Sequence, residues 1–76
     1  MKELLTYIAQ NLVDHPEQVE VTEHAGDGET TLELRVASED MGKVIGRQGR
    51  IAKWIRVLMR SVGQRKGNRV SVEITD

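Results

Sequence analysis

The chain has 76 residues, of which 38% are hydrophobic and 30% are charged, and its formal net charge is −1. This length suits one domain, residues 1–76, with no room for a second hydrophobic core. The absence of cysteine excludes a disulfide framework and a thiolate metal site. The interrupted amphipathic N-terminus is neither a signal peptide nor a membrane span, so we expect a soluble, cytoplasmic protein without a membrane role.

The small net charge conceals a strong separation of charge along the chain. Residues 1–40 contain ten acids and two cations, a balance of −8, whereas residues 41–76 contain nine cations and two acids, a balance of +7. Such asymmetry is typical of a protein that binds a polyanion. It is equally compatible with two halves of one chain that attract each other, so the charge pattern alone leaves both interpretations open.

The first half of the chain predicts one helix followed by a β-hairpin. Apolar residues recur at helical spacing within residues 2–13, at Leu4, Leu5, Ile8 and Leu12. Asp14-His15-Pro16 ends this helix, because proline disfavours helical geometry in the residue before it. Apolar and polar residues then alternate on both sides of a turn cluster at 25–28, which predicts a hairpin over residues 19–37.

The second half predicts a short helix, a long helix and a last strand. Ser38 suits a helix N-cap, Glu39 and Asp40 fit the first turn, and Gly46 ends this short helix. A longer helix starts at Gly49. Its predicted apolar face consists of Ile51, Ile55, Leu58 and Val62, with Met59 at the margin. The opposite side carries the cations Arg50, Lys53, Arg56 and Arg60.

The element order is therefore α-β-β-α-α-β, an α+β fold. Gly63 and the polar residues after it close the long helix, and Val70, Val72 and Ile74 alternate in the last strand. Each strand has one apolar face, so all three helices should cover the same side of a three-stranded mixed sheet. The hairpin is antiparallel, and the last strand returns parallel to the second one across the two helices.

The segment Gly46-Arg47-Gln48-Gly49 is the strongest candidate for a binding site. We expect Gly46 to take the left-handed conformation that closes the short helix, and Gly49 to allow a tight turn into the next. The missing Cβ atoms would let a sugar-phosphate chain lie against the backbone, near a helix N-terminus that attracts phosphate. The surrounding cations are Lys43, Arg47, Arg50 and Lys53. The predicted apolar floor of the adjacent groove consists of Val44, Ile45 and Ile51.

A G-x-x-G tetrad by itself is weak support for this interpretation, because most such glycine pairs are ordinary turns. Two stronger glycine motifs are absent, since the chain has neither the Walker A pattern nor the dinucleotide fingerprint G-x-G-x-x-G. The placement of the tetrad between a short and a long helix, inside the basic half, favours a functional role.

These residues resemble a known family. The stretch V-I-G-R-Q-G-R-I resembles the signature of a KH domain, and the element order is that of the type II arrangement. The similarity is greatest to the KhpA family of small bacterial proteins that consist of a single KH domain. It extends from M-K-E-L-L-T-Y-I-A through L-R-V-A-S-E-D-M-G-K-V-I-G-R-Q-G-R-I-A-K to V-S-V-E-I.

The resemblance implies single-stranded RNA binding, with about four nucleotides in a cleft beside the loop. By position, residues 46–49 hold the nucleic-acid backbone, and Ile45 and Ile51 lie against the bases. Many KH domains have a large aliphatic residue where this chain has Ala52, which predicts a shallower groove. The resemblance also implies an RNA chaperone or regulator linked to cell elongation and division, which acts as a homodimer or with a KhpB-like KH-containing partner.

Trp54 and Val57 are the residues of the long helix that the binding site does not explain. We expect Trp54 at the margin of the core, with a base-stacking platform or a partner contact as alternatives. Val57 falls among the cations, and an exposed valine is common. Together with Trp54 it could form a small dimer or partner patch.

Other titratable residues give no sign of catalysis or metal binding. His15 and His24 are expected to be solvated, and Glu39 and Asp40 to serve the start of a helix. We find no nucleophile with its base, and therefore expect no enzyme, no cofactor, no metal and no small-molecule substrate. The main alternative to RNA binding is a protein-interaction subunit whose basic loop and helix dock an acidic partner.

Overall fold

The computed structural model describes residues 1–76 and consists of three α-helices and three strands. In chain order these are α1 (Lys2–Gln10), β1 (Glu20–Gly26), β2 (Glu29–Arg35), α2 (Met41–Ile45), α3 (Arg50–Arg65) and β3 (Arg69–Thr75). Short 3-10 turns lie at Pro16–Gln18, Ser38–Asp40 and Arg47–Gly49. The predicted element order and the α+β class are confirmed. None of the helices has the length and hydrophobicity needed to cross a lipid bilayer.

The three strands form one mixed sheet in the order β1-β2-β3. β1 and β2 are antiparallel, and Gly26 pairs with Glu29, so the turn between them is Asp27-Gly28. Gly28 has a φ of +68°, which glycine adopts without steric cost. β3 is parallel to β2, as predicted, and forms one edge of the sheet.

The hydrophobic core lies on one face of the sheet. Every strand and every helix contributes to it: Leu5, Ala9, Val21, Leu32, Leu34, Val36, Val44, Ile55, Met59, Val70 and Val72. The other face carries alternate polar residues such as Thr22, Glu33 and Ser71. The three helices therefore cover the same side of the sheet, which confirms the predicted layer arrangement.

α1 is shorter than predicted and buries a slightly different face. It ends at Gln10, and the residues up to 13 continue as a turn. Its fully buried side chains are Leu5 and Ala9, one helical turn apart, whereas Leu4 is 37% exposed. Leu12 still packs against the core, but from the turn that follows the helix.

α3 also buries a different face from the one predicted. The buried residues are Ala52, Ile55, Met59 and Gly63, so Met59 lies at the centre of the interface and not at its margin. Leu58 and Val62 are only half-buried. Glycine at position 63 matters because α3 lies very close to the start of β3 there; a Cβ on Gly63 would be 2.8 Å from the Asn68 carbonyl oxygen.

α3 ends within the predicted closing segment that starts at Gly63. The helix continues to Arg65, and Gly67 with a φ of +70° turns the chain out of it. The backbone N–H of Asn68 donates to the carbonyl of Gly63 at 2.8 Å, and that of Gly67 donates to Gln64 at 3.1 Å. This pair of bonds is a Schellman motif, which satisfies carbonyls at the helix end and directs the chain into β3.

Candidate nucleic-acid interface

The loop between α2 and α3, residues 46–49, is called the GxxG loop here. Gly46 closes α2 by donating its backbone N–H to the Gly42 carbonyl at 2.9 Å. The left-handed helical conformation predicted for Gly46 is wrong. Its φ of 76° and ψ of 174° lie in a region open almost only to glycine. The left-handed residues are Gln48, at φ 58° and ψ 24°, and Gly49, at φ 73° and ψ 16°.

The space left by the missing Cβ differs between the two glycines of the loop. A Cβ on Gly46 would lie 2.6 Å from Cγ1 of Ile51, so this glycine makes room for a side chain of α3. A Cβ on Gly49 would have no atom within 4 Å, so its surroundings are open. At Gly46 the space of the missing Cβ is therefore taken by Ile51, so the open side of the loop lies at Gly49.

Four exposed cations surround the GxxG loop: Lys43, Arg47, Arg50 and Lys53. Arg50 donates from Nη2 to the Gln48 side-chain oxygen at 3.3 Å, which links the loop to the first turn of α3. Lys43 forms an ion pair with Asp14, whereas the other three cations form none. The loop is thus a cluster of positive charge with little internal compensation.

The predicted apolar floor is only partly available to a ligand. Ile45 is 37% exposed, and Ile51 is half-buried against Gly46. Val44 is completely buried and belongs to the core, so it supports the surface from below and does not contact a ligand. Ala52 is also buried, and its methyl group packs on the core side of α3.

A second basic surface, which the sequence did not reveal, follows the free edge of β3. Arg56 and Arg60 line a cavity of about 230 Å³ with the strand residues Val70, Ser71 and Val72. Arg56 donates from Nε to the Val72 carbonyl at 3.2 Å. We call this cavity, together with a second cavity that also contains Arg60 in its lining, the β3-edge groove.

The second cavity of the β3-edge groove lies at the end of α3 and has a volume of about 360 Å³. Its lining is entirely polar or glycine: Arg60, Gln64, Gly67, Asn68 and Arg69. Asn68 donates from Nδ2 to the Thr30 hydroxyl at 2.7 Å, while its buried side-chain oxygen has no hydrogen-bond partner. The sequence placed Arg56 and Arg60 on the side of the long helix opposite its apolar face. The short connection of three residues between α3 and β3 was the sequence feature that could have indicated this groove, because it folds β3 back along Arg56 and Arg60.

The α3 surface that faces away from the sheet carries two exposed apolar side chains. Trp54 is 54% exposed and Val57 is 49% exposed, and their spacing of three residues places them side by side. The expectation that Trp54 lies at the margin of the core is therefore wrong. Ala52, Ile55 and Met59 occupy the buried side instead.

A buried carboxylate holds the turn after α1 against the start of α2. Asp40 is 1% exposed and accepts hydrogen bonds from the backbone N–H groups of Asp14 and His15, at 3.3 and 3.0 Å, and pairs with His15 Nδ1 at 3.1 Å. The interpretation of Asp40 as simple helix-start chemistry is therefore wrong, and His15, expected to be a solvated surface residue, is only partly exposed. Ser38 makes no capping hydrogen bond. His24 is exposed, as expected, and pairs with Glu33 at 2.6 Å.

These contacts shift the pKa values of both partners. The side-chain hydrogen bond to Asp40 raises the pKa of His15 above its ordinary 6.5, against the opposing effect of burial. Burial acts to raise the pKa of Asp40, but the hydrogen bonds from His15 and Asp14 outweigh it. The net pKa of the Asp40 carboxyl is lowered from 3.8.

Comparisons with known proteins agree with this architecture. The sequence model of one family, described as the KH domain of KhpA/KhpB, matches residues 2–74. The RNA-binding protein KhpA of Clostridium acetobutylicum is 54% identical over 74 residues, which cover 97% of this chain and 99% of the relative. The RNA-binding protein KhpA of Listeria monocytogenes is 47% identical over the full length of both chains. These are not names of enzymes, which agrees with the expectation that the chain is not one.

A solved structure shows the same fold in a larger protein. The crystal structure of Aquifex aeolicus Era bound to GDP·AlF4⁻ matches 97% of this chain with a TM-score of 0.68, at 18% identity. The match covers 29% of the Era chain. At this identity the likeness concerns the fold alone.

Proposed function

The chain belongs to the KhpA/KhpB family of KH domains, and on this premise we propose that it binds single-stranded RNA at the GxxG loop and the β3-edge groove. The observation that carries the proposal is the open, basic side of the loop at Gly49. There the position of a Cβ on Gly49 has no atom within 4 Å, and Arg47, Arg50 and Lys53 have no internal ion-pair partner. A phosphodiester chain supplies the anionic oxygens that such a cluster lacks.

The β3-edge groove gives the nucleotides a path beyond the loop. Arg56 and Arg60 line β3, and Lys53 precedes them at helical spacing, so the three form a basic row along α3 from the loop to the groove. A free strand edge offers backbone N–H and C=O groups that can hydrogen-bond to base edges. The polar groove therefore suits bases read on their edges, with Ile45 and Ile51 providing apolar contact near the loop.

Titration of a labelled single-stranded RNA with the wild-type chain and the double variant Arg47→Asp/Gln48→Asp tests this proposal. Aspartate tolerates the left-handed backbone at residue 48, so the variant should fold. We expect wild-type affinity to fall steeply with salt and the variant to lose binding. The control is Lys2→Asp/Gln10→Asp, which makes the same charge change on exposed positions of α1 and should keep most of the affinity.

Two results would count against the proposal. Unchanged affinity in the folded Arg47→Asp/Gln48→Asp variant would remove the loop from the binding site. Equal losses in both double variants would mean that net charge, and not the loop, governs binding. Circular dichroism of each variant establishes that it is folded.

We further propose that Trp54 and Val57 join the chain to a second copy or to a KhpB-like KH-containing partner. Two adjacent apolar side chains, each about half exposed, are surface that association would remove from water. The link to cell elongation and division and the RNA chaperone role stay predictions that rest on the resemblance, and the cytoplasmic location stays a prediction from the sequence.

Sedimentation analysis tests the partner surface. Trp54→Glu should leave the chain folded and monomeric, because it places a charge in the proposed contact. Tyr7→Glu is the matched control, since Tyr7 is an aromatic residue that is 66% exposed on α1. An unaltered sedimentation mass in Trp54→Glu, or dissociation by Tyr7→Glu instead, would refute this surface.

A further inference from the structure

One of the four cations around the GxxG loop already has an anionic partner within the chain. Lys43 Nζ lies 3.2 Å from Oδ2 of Asp14, and the two side chains are 45% and 69% exposed. Asp14 belongs to the turn after α1, 29 positions before Lys43, so this contact depends on the tertiary fold. The ion pair bridges that turn to α2, the helix that leads into the loop.

The position of Asp14 is fixed by its backbone rather than by the ion pair. Its N–H donates to Oδ1 of the buried Asp40 at 3.3 Å, and the next residue, His15, is held by the other oxygen of the same carboxylate. Asp40 directly precedes α2. The Asp14 carboxylate is thus presented to α2 even when it is not bonded to Lys43, and Lys43 has a long, mobile side chain that can leave it.

We propose that Asp14 is a positioning residue that competes with RNA phosphate for Lys43 and so limits the affinity of the site. This inference rests on the proposed RNA-binding function. Carboxylate and phosphodiester oxygens are alternative acceptors for the same ammonium group. Because the pair is exposed, its replacement by a phosphate requires little free energy, and the exchange is readily reversible.

The test is a double-mutant cycle between Asp14 and Lys43, measured by single-stranded RNA titration at low and high salt. Asp14→Asn preserves the backbone N–H that Asp40 accepts and removes only the competing charge. It should raise affinity about two- to fivefold at low salt, the range of an exposed ion pair. In the Lys43→Gln background the same substitution should give no gain, because the cation under competition is absent.

Glu17→Gln is the matched control for general electrostatics. Glu17 is an exposed carboxylate three residues further along the same turn region, and it forms no ion pair. It should raise affinity by less than Asp14→Asn does. Thermal unfolding provides the structural readout, and the melting temperature of Asp14→Asn should stay close to that of the wild type.

Each remaining outcome overturns the inference. A gain in Asp14→Asn that persists with Lys43→Gln, or that Glu17→Gln equals, would show a long-range charge effect and no specific competition. Unchanged or reduced affinity in Asp14→Asn would show that Asp14 does not compete. If the wild-type chain binds no RNA, the proposed function fails as well, whereas wild-type binding with an unaffected Asp14→Asn variant refutes this inference alone.

Discussion

At the residue scale, the glycines of the basic segment have unequal structural roles. Gly46 is required by both its backbone angles and its contact with Ile51. Gly42 has no atom within 4 Å of the position of a Cβ, so close packing within the short helix does not explain it. The sequence predicted that Gly46 and Gly49 frame a loop. It could not predict which of them faces Ile51, since that depends on the direction in which α3 leaves the loop.

Alanine substitution should therefore affect Gly46 and Gly42 in opposite ways. Gly46→Ala combines a strained backbone with overpacking against Ile51 and should destabilise the fold by about 2 kcal/mol or more. Gly42→Ala, on an exposed helical position, should stabilise it by about 0.5–1 kcal/mol. Urea unfolding measures both. Equal stability of the two variants would contradict the assigned roles.

At the element scale, the position of α2 depends on a contact that no sequence pattern indicated. Asp40 lies 26 and 25 positions after Asp14 and His15, and the polar character of these residues suggested only a turn and a helix start. In the fold, the buried Asp40 carboxylate satisfies two backbone N–H groups of the turn after α1. A buried charge needs such partners, and this one fixes the turn to the helix that carries the loop.

The contact predicts a specific dependence of stability on pH. Because the pKa of His15 is raised in the folded state, its contribution is complete below about pH 6.5 and is lost as the pH rises through the folded-state value. Because the pKa of Asp40 is lowered, its contribution is present above about pH 3.8 and is lost on further acidification.

Urea unfolding of the wild type and His15→Asn at about pH 5.5 and pH 8.5 tests this prediction. The wild type should exceed the variant in unfolding free energy by a larger margin at the lower pH. The titratable groups that do not contact His15 are common to both chains, so they cancel in the comparison. A margin that is constant, or larger at pH 8.5, would contradict the proposed charge state of His15.

The long helix shows where periodicity succeeds and where it fails. Its length and amphipathic character were predicted from the spacing of large aliphatic residues. The buried face differs because it includes the small residues Ala52 and Gly63, which a pattern of large side chains overlooks. The observed orientation of α3 also brings Arg56 to the free edge of β3. The sequence did not predict the groove that forms there.

At the scale of the whole molecule, the structure bears on the two interpretations of the charge separation. Of the nine cations in residues 41–76, only Lys43 and Arg69 form ion pairs with acids of the first half. Attraction between the halves therefore uses a small part of the positive charge. The remaining cations lie along α3, the loop and the turn before β3, where a polyanion can reach them.

The overall fold was predictable because each element carries its own local pattern and the order of elements restricts the topology. The alternating strands, the hairpin turn and the two helices before β3 sufficed for a three-stranded mixed sheet with one covered face. The candidate site was predictable at the loop, where the residues are consecutive. The β3-edge groove was not, because its walls come from two elements that only the tertiary structure brings together.

The most direct measurement of the central claim is an NMR titration of the 15N-labelled chain with a single-stranded RNA of about eight nucleotides, twice the span of a KH cleft. Binding at the proposed site predicts that the largest amide shift changes occur in residues 46–53 and 70–72. Amides of the open sheet face, such as Thr22 and Glu33, should change little. Changes concentrated on that open face, or no changes at saturating RNA, would contradict the account.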